Sequence, residues 1–168
     1  MKRGRKKPSV KSERIRRLVH KYGKDILQSE GFKQSENYIQ HGKRTVLQHS
    51  IDVANTSLSL SRKLPFKFKE KDIVRGALLH DYFQYDWHHY KVKSKGLAAI
   101  KELHGFSHPY TALQNASRDF RLSHREKDII KKHMWPLTPK PPMCREAWIV
   151  TFADKYCSLK ETLNRRKG

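Results

Sequence analysis

The chain has 168 residues, of which 36% are hydrophobic and 32% charged, and its formal net charge is +21. This length suits one domain with a core of its own. Its longest strongly apolar run, residues 148–153, is far shorter than the roughly 20 residues that cross a bilayer. No apolar segment follows the basic N-terminus as in a signal peptide, and two cysteines are too few for a disulfide framework. We therefore expect a cytoplasmic protein rather than a secreted, membrane or disulfide-rich one.

The positive charge is concentrated at the N-terminus. Residues 1–24 contain eleven Lys and Arg and one acid, Glu13, and so carry +10, whereas the remaining 144 residues carry +11. Such an excess favours polyanionic or phosphorylated ligands through long-range attraction. The sequence predicts a flexible basic arm over residues 1–11, followed by a helical domain over residues 12–168. The arm is interpreted either as a solvated tail or as a contact for nucleic acid.

Apolar residues recur at helical spacing almost throughout, and no segment shows the alternation of a strand. Ser12 is the predicted cap of the first helix, and the residue before Pro65 ends the second, because residues before proline avoid the helical region. Pro109 suits the first turn of the fourth helix, and Ser123 and Glu126 have capping-box spacing at the fifth. The sequence therefore predicts an all-α single domain. Its predicted helices cover about residues 12–29, 42–63, 70–84, 109–120, 124–134 and 145–164.

Ten histidines are an excess for this length, and several fall on apolar faces of the predicted helices. Helical spacing aligns His49, His80 and His133 with the apolar residues of their helices, and it aligns Asp81 and Asp154 in the same way. A carboxylate that faces a core costs several kcal/mol unless something compensates it. Imidazoles and carboxylates on facing helices are typical metal ligands in helical bundles. The pattern predicts a metal site; the alternative is that each is a core residue with an ordinary hydrogen bond, cap or ion pair.

The order of these residues carries a resemblance to a known family. His49, the dyad His80-Asp81 and Asp154 resemble the H…HD…D signature of the HD-domain metal-dependent phosphohydrolases, over about residues 39–160. The dyad stands in Arg-Gly-Ala-Leu-Leu-His-Asp and the last aspartate in Phe-Ala-Asp-Lys, and both settings are typical of that family. His108, in His-Pro-Tyr-Thr-Ala, and His133 resemble the additional histidines of two-metal members.

The resemblance implies a single helical HD-domain bundle, here preceded by a basic arm, that hydrolyses a nucleotide or another phosphate ester through a metal-activated water. One or two divalent ions are implied, with manganese, iron, nickel or zinc as candidates, and Asp81 bridges the two ions when both are present. Asp81, His80 and Lys155 are the candidates for catalysis, with Lys155 as a phosphate contact. The implied metal ligands are His49, His80, Asp81, His108, His133 and Asp154.

Three further residues are candidates for contacting the substrate. His104 lies four residues before His108, so the two share a helix face, and His104 is either a substrate contact or the ligand in place of His108. Trp135 can stack a nucleobase, as can the aromatic segment over residues 82–90, and Arg75 can contact a phosphate. The chain lacks the Gly-Tyr-Pro motif of the HD-GYP cyclic-dinucleotide phosphodiesterases, so the sequence does not name the phosphate ester.

Two functions of different classes remain open at this point. The first is a phosphohydrolase whose partner is a phosphorylated small molecule, favoured as a nucleotide. The second is a nucleic-acid-binding or regulatory helical module that keeps a non-catalytic metal, with nucleic acid contacted through the basic arm. Structural metal sites are usually closed, four-coordinate and often rich in thiolates. The mixture of imidazoles and carboxylates without paired thiols favours the catalytic site.

Overall fold

The computed structural model describes residues 9–41, 44–84 and 104–165. The architecture is helical, with one short antiparallel hairpin as the only sheet in that part of the chain. The all-α prediction is therefore confirmed apart from this hairpin. The helices are α1 (Val10–Tyr22), α2 (Lys24–Gln28), α3 (Glu30–Gln34), the 3-10 turn Ser35–Asn37, α4 (Val46–Ser61), α5 (Glu70–Leu79), α6 (His104–Asp119), α7 (His124–Lys132) and α8 (Arg145–Arg165), and the strands are β1 (Ile39–His41) and β2 (Arg44–Thr45).

The first predicted helix, residues 12–29, is two helices in the structure, α1 and α2. Helix α1 begins at Val10 because Ser9, rather than Ser12, is its cap: the Ser9 hydroxyl accepts the amide of Ser12 at 3.2 Å. It ends at Gly23, whose backbone passes so close to Leu78 that any larger side chain would collide with it. Residues 1–8, which form most of the predicted arm, lie outside the described residues.

The hairpin occupies the start of the second predicted helix. Ile39 of β1 pairs with Thr45 of β2, and Thr45 then caps α4 by accepting the amide of Gln48 at 3.2 Å. Helix α4 therefore begins at Val46, about four residues later than the sequence predicts. Only the tertiary pairing distinguishes this segment from a helix, because strands this short carry no alternation that a sequence pattern can detect.

The remaining helix ends agree with the sequence to different degrees. The capping box at α7 is confirmed in both halves, Ser123 accepting from the amide of Glu126 at 3.1 Å and Glu126 from the amide of Ser123 at 2.8 Å. Helix α6 begins at His104, so Pro109 lies inside it rather than in its first turn. Helix α5 ends at Leu79, five residues before the predicted end, and the chain reaches a positive φ of 56° at Gln84.

The core lies between four helices. Helix α4 packs against α5 and α8, and α7 packs against the same two helices. Fully buried aliphatic side chains fill the space between them, including Val53, Leu78, Ile129 and Val150. No helix in the described part of the chain combines the length and the apolarity that a bilayer-spanning segment needs. The polar residues of the candidate site are set into this core.

Candidate metal centre

The six side chains that the sequence predicts as ligands converge at one place in the bundle. They come from five elements: α4, the turn after α5, α6, the C-terminal end of α7, and the middle of α8. Each of these residues is buried, with no more than 6% of its surface exposed. They are His49, His80, Asp81, His108, His133 and Asp154.

One half of the cluster forms around His49 and His80. The Nε2 of His49 lies 3.1 Å from Oδ1 of Asp154, and the Nε2 of His80 lies 3.6 Å from the same oxygen. The Nε2 of His80 also lies 3.2 Å from Oδ2 of Asp81. Two imidazoles and two carboxylates thus face a common point.

Asp81 connects this half to a second one. Its Oδ2 faces His80 and lies 3.9 Å from the Nε2 of His49. Its other oxygen, Oδ1, lies 3.2 Å from the Nε2 of His108 and 3.4 Å from the Nε2 of His133. The geometry groups His49, His80 and Asp81 as one set able to hold a cation, and Asp81, His108 and His133 as another. A single carboxylate therefore presents one oxygen to each half.

Backbone carbonyls determine which ring nitrogen of two histidines carries the proton. The Nδ1 of His80 donates to the carbonyl of Ala77 at 2.7 Å, and the Nδ1 of His133 donates to the carbonyl of Ile130 at 2.9 Å. In each neutral imidazole the Nε2 therefore holds a lone pair that points into the cluster. This is the arrangement in which a metal-binding histidine is usually held.

Two of these imidazoles face each other in the second half of the cluster. The Nε2 atoms of His108 and His133 lie 2.8 Å apart, so at most one proton can lie between them. In the described part of the chain, the buried Nε2 of His80 and Oδ1 of Asp81 have no hydrogen-bond partner. Buried polar atoms almost always have one. A set of imidazole and carboxylate donors with unmet capacity fits divalent manganese, iron, nickel or zinc.

The pKa values of the clustered histidines and aspartates show that positive charge is favoured at this site. Burial lowers the pKa of His49, but its contacts with Asp154 and Glu161 outweigh burial and raise that pKa to about 9. Burial likewise opposes charge on His80, yet the neighbouring Asp81 raises its pKa well above the usual value. Despite burial, the histidines hold the pKa values of Asp81 and Asp154 below their usual range. In the absence of a metal, protons on the imidazoles balance the two carboxylates.

The comparisons with known proteins agree with this geometry. A family model described as HD domain matches residues 46–159, a range that includes all six clustered residues. The chain belongs to the HD domain family. No curated protein and no solved structure shows significant similarity to it. The resemblance carried by His49, His80-Asp81 and Asp154 is thereby confirmed at the level of the family.

Two residues that sequence reasoning missed contact the candidate metal ligands of this HD domain. Glu161, on α8 with only 8% of its side chain exposed, places Oε2 3.1 Å from the Nδ1 of His49. Its position seven residues after Asp154 puts both on one helix face, which is a signal that the sequence did contain. Gln40, buried on β1, donates from Nε2 to Oδ2 of Asp81 at 2.5 Å. The sequence held no signal for Gln40, because the hairpin itself was not predicted.

The candidates for substrate contact occupy different environments in the HD domain. Lys155 is half-buried and donates from Nζ to the backbone carbonyl of His133 at 3.1 Å, which places its ammonium next to the second half of the cluster. Trp135 packs edge-on against Trp148, with ring centroids 4.9 Å apart. His104 is the first residue of α6, and its side chain lies outside the described residues.

Arg75 lies in a buried ion-pair network between helices. Its Nε donates to Glu126 at 2.7 Å and its Nη1 donates to Asp25 at 2.6 Å. These contacts join α5 to α7 and α2, so the guanidinium already has carboxylate partners.

The aromatic segment over residues 82–90, the other candidate for stacking a nucleobase, is described only in part. Tyr82 and Phe83 are buried, and the Tyr82 hydroxyl donates to Asp119 at 2.9 Å. Phe83 packs edge-on against the ring of His108, with centroids 5.8 Å apart. Both side chains therefore belong to the packing around the site and not to a free stacking surface. Residues 85–90 of the same segment lie outside the described residues.

Proposed function

We propose that this HD domain is a metal-dependent phosphohydrolase that acts on a nucleotide or another phosphate ester. The observation that supports it best is the position of Asp81. Its two carboxylate oxygens face two separate pairs of imidazoles, with the closest nitrogen on each side at 3.2 Å. A carboxylate shared between two ions is a recurrent feature of hydrolytic two-metal sites. Buried imidazoles and carboxylates that only stabilise a fold have no need of this symmetry.

The two halves of the site would hold one ion each. His49, His80, Asp81 and Asp154 would hold the first, and Asp81, His108 and His133 would hold the second. When bound, divalent ions supply a water of lowered pKa and relieve charge on the phosphoryl oxygens. Manganese, iron, nickel and zinc all suit this set of donors.

The chain's own residues keep the ligands in place. The carbonyls of Ala77 and Ile130 orient His80 and His133, and the Gln40 amide orients Asp81. These contacts hold each donor atom toward the centre before any ligand arrives, so little reorganisation is needed on binding. Lys155, anchored on the carbonyl of His133, contributes positive charge for a phosphate oxygen beside the second half.

The test is a hydrolysis screen with the full chain and added Mn²⁺. The substrates are nucleoside mono-, di- and triphosphates, dinucleoside polyphosphates, cyclic nucleotides and a small chromogenic phosphate ester. Wild type is compared with Asp81→Asn and with the control Glu30→Gln, which changes an exposed carboxylate paired with the exposed Lys33. We expect turnover in wild type and the control, and loss of about a hundredfold or more in Asp81→Asn.

Circular dichroism establishes that each variant is folded. Equal turnover in wild type and Asp81→Asn would identify a contaminant or another site. If no phosphate compound is hydrolysed while metal still binds, the alternative of a regulatory module with a non-catalytic metal is favoured.

A further inference from the structure

A cavity lies at the opposite end of the bundle from the metal centre. It has a volume of about 810 Å³ and is lined by the end of α4, the segment from Arg62 to Lys69, and the starts of α5, α7 and α8. His49 precedes Ser61, the last residue of α4, by twelve residues, which is about 18 Å along a helix axis. His80 likewise follows the start of α5 by ten residues, or about 15 Å. We call this space the α5–α8 cavity.

The α5–α8 cavity has an excess of positive charge. Five cations and two carboxylates line it, and both carboxylates are already engaged. Glu70 accepts two hydrogen bonds from Arg62, at 2.6 and 2.9 Å. Glu146 accepts the backbone amide of Lys69 at 2.9 Å and lies 3.6 Å from Arg125. Among the described residues, no carboxylate lies within ion-pair distance of the three remaining side-chain cations, which are Lys67, Lys69 and Arg145.

An aromatic ring of the same cavity lies beside one of these cations, Arg145. Phe66 lines the α5–α8 cavity with 55% of its surface exposed. The guanidinium of Arg145 lies 5.3 Å from the centre of the Phe66 ring. The ring of Phe68 packs edge-on against that of Phe66, with the two centroids 6.4 Å apart. An exposed phenyl ring held between a cation and a second ring has the properties of a stacking platform for a base.

We propose that the α5–α8 cavity is a binding site for a nucleoside phosphate, separate from the metal centre. The base stacks on Phe66, and the phosphate is bound by Lys67 and Lys69. The nucleoside phosphate is either a free nucleotide or one unit of a single-stranded RNA, because both present the same base and phosphate. The cavity volume falls within the range of ordinary small-molecule sites, about 300–1,000 Å³.

Binding is tested by fluorescence anisotropy with a fluorescent nucleoside diphosphate and with a short end-labelled single-stranded RNA. Titrations of the full chain contain excess chelator, so that neither hydrolysis nor a bound ion contributes. Lys67→Glu is compared with Lys71→Glu, an equally exposed lysine of α5 that does not line the cavity. We expect Lys67→Glu to weaken binding about fivefold or more, and Lys71→Glu to weaken it less than about twofold. A lysine that contacts the phosphate contributes more to affinity than a lysine that changes only the overall charge of the protein.

A second variant tests the stacking contact. Phe66→Ala removes an exposed ring, so the fold is retained, and we expect it to weaken nucleotide binding about tenfold. Hydrolysis of a small phosphate ester stays at the wild-type rate, which separates this site from the metal centre. Binding of both probes supports a free nucleotide as ligand, and binding of the RNA alone supports a strand.

Two results would overturn the proposal. One is that wild type binds neither probe, or that Lys67→Glu and Lys71→Glu behave alike. The other is that Asp81→Asn abolishes binding while Phe66→Ala leaves it intact, which would assign the probe to the metal centre. Neither result bears on whether the metal centre hydrolyses phosphate esters.

Discussion

Glu161 contacts the side of the His49 imidazole that faces away from the metal centre, with Oε2 of Glu161 3.1 Å from Nδ1 of His49. The opposite nitrogen, Nε2, lies 3.1 Å from Asp154 inside the cluster. A carboxylate behind a ligating histidine determines its tautomer, holds the ring in place and increases its basicity. Glu161 therefore acts on the centre through His49 without facing it.

Replacement of Glu161 should weaken metal binding without removing a ligand. We expect Glu161→Ala to reduce the affinity for Mn²⁺ or Zn²⁺ by about 10–100-fold, the range found for such supporting partners. Glu161→Gln keeps a hydrogen-bonding group and should lose less. Competition against a chromogenic chelator measures the affinity, and Thr162→Ala, an exposed neighbour on α8, is the control. An affinity for Glu161→Ala equal to that of the control would rule out this role.

Removal of one ligand from each half should separate the two ions. His133→Gln is expected to abolish binding in the second half and leave about one ion per chain, because His49, His80 and Asp154 remain intact. Asp81→Asn should disturb both halves, since each faces one oxygen of this carboxylate. Elemental analysis after dialysis against metal gives the stoichiometry. Two ions in His133→Gln, or no difference between the two variants, would contradict the assignment.

Metal binding should release protons. The pKa of His49 is raised to about 9 in the metal-free protein, so its imidazole is protonated at pH 7.5 and must lose that proton before Nε2 can bind an ion. The apparent affinity should consequently rise with pH up to about 9 and fall as the pH is lowered. Calorimetry in two buffers of different ionisation enthalpy counts the protons released. We expect His49→Gln to release about one proton fewer than wild type. A metal-binding enthalpy that is the same in both buffers would contradict the protonation of His49 in the metal-free protein.

The same pKa shift has a consequence for the stability of the metal-free fold. A histidine whose pKa rises from 6.5 to about 9 on folding stabilises the folded state fully below pH 6.5. That contribution is lost as the pH rises through about 9. Thermal unfolding in chelator should therefore show a smaller decline in stability from pH 6 to 9 in His49→Gln than in wild type. A steeper decline in stability in His49→Gln than in wild type would contradict this prediction.

The partners of Arg75 predict a structural role for it. Breaking a buried ion pair by removing one partner costs about 3–5 kcal/mol, and the Arg75 side chain is only 7% exposed. We expect Arg75→Ala to lower the free energy of unfolding by an amount near this range in a denaturant titration. Its KM for a phosphate ester should match that of wild type under conditions where it is folded. A raised KM in a fully folded variant would favour direct contact with the substrate instead.

The basic arm should be dispensable for hydrolysis. Ser9 caps α1, so the appropriate deletion ends at residue 8. We expect this deletion to leave the turnover of a small phosphate ester unchanged, because no predicted ligand lies in the arm. If the arm contacts nucleic acid, the deletion should instead reduce the slope of binding against salt concentration. Loss of turnover in a folded deletion variant would show that the arm contributes to the active site.

The sequence by itself determined the helical fold class and the candidate ligands. Helical periodicity places His49 and Asp154 on buried faces, and this periodicity is a local property that any amphipathic helix shows in its residues. The capping box of Ser123 and Glu126 is equally local. The order of His49, His80-Asp81 and Asp154 along the chain indicated the HD domain family. All of this information lies within single helices or in their order.

Only the tertiary structure decided how these residues relate to one another. The two-sided position of Asp81, the contact of Glu161 with His49 and that of Gln40 with Asp81 each join elements distant in the chain. Arg75 is the converse case, since its carboxylate partners lie on α2 and α7, where no spacing on α5 reveals them. The direction of a carboxylate oxygen depends on the packing of several helices at once, and no local pattern in one of them records it.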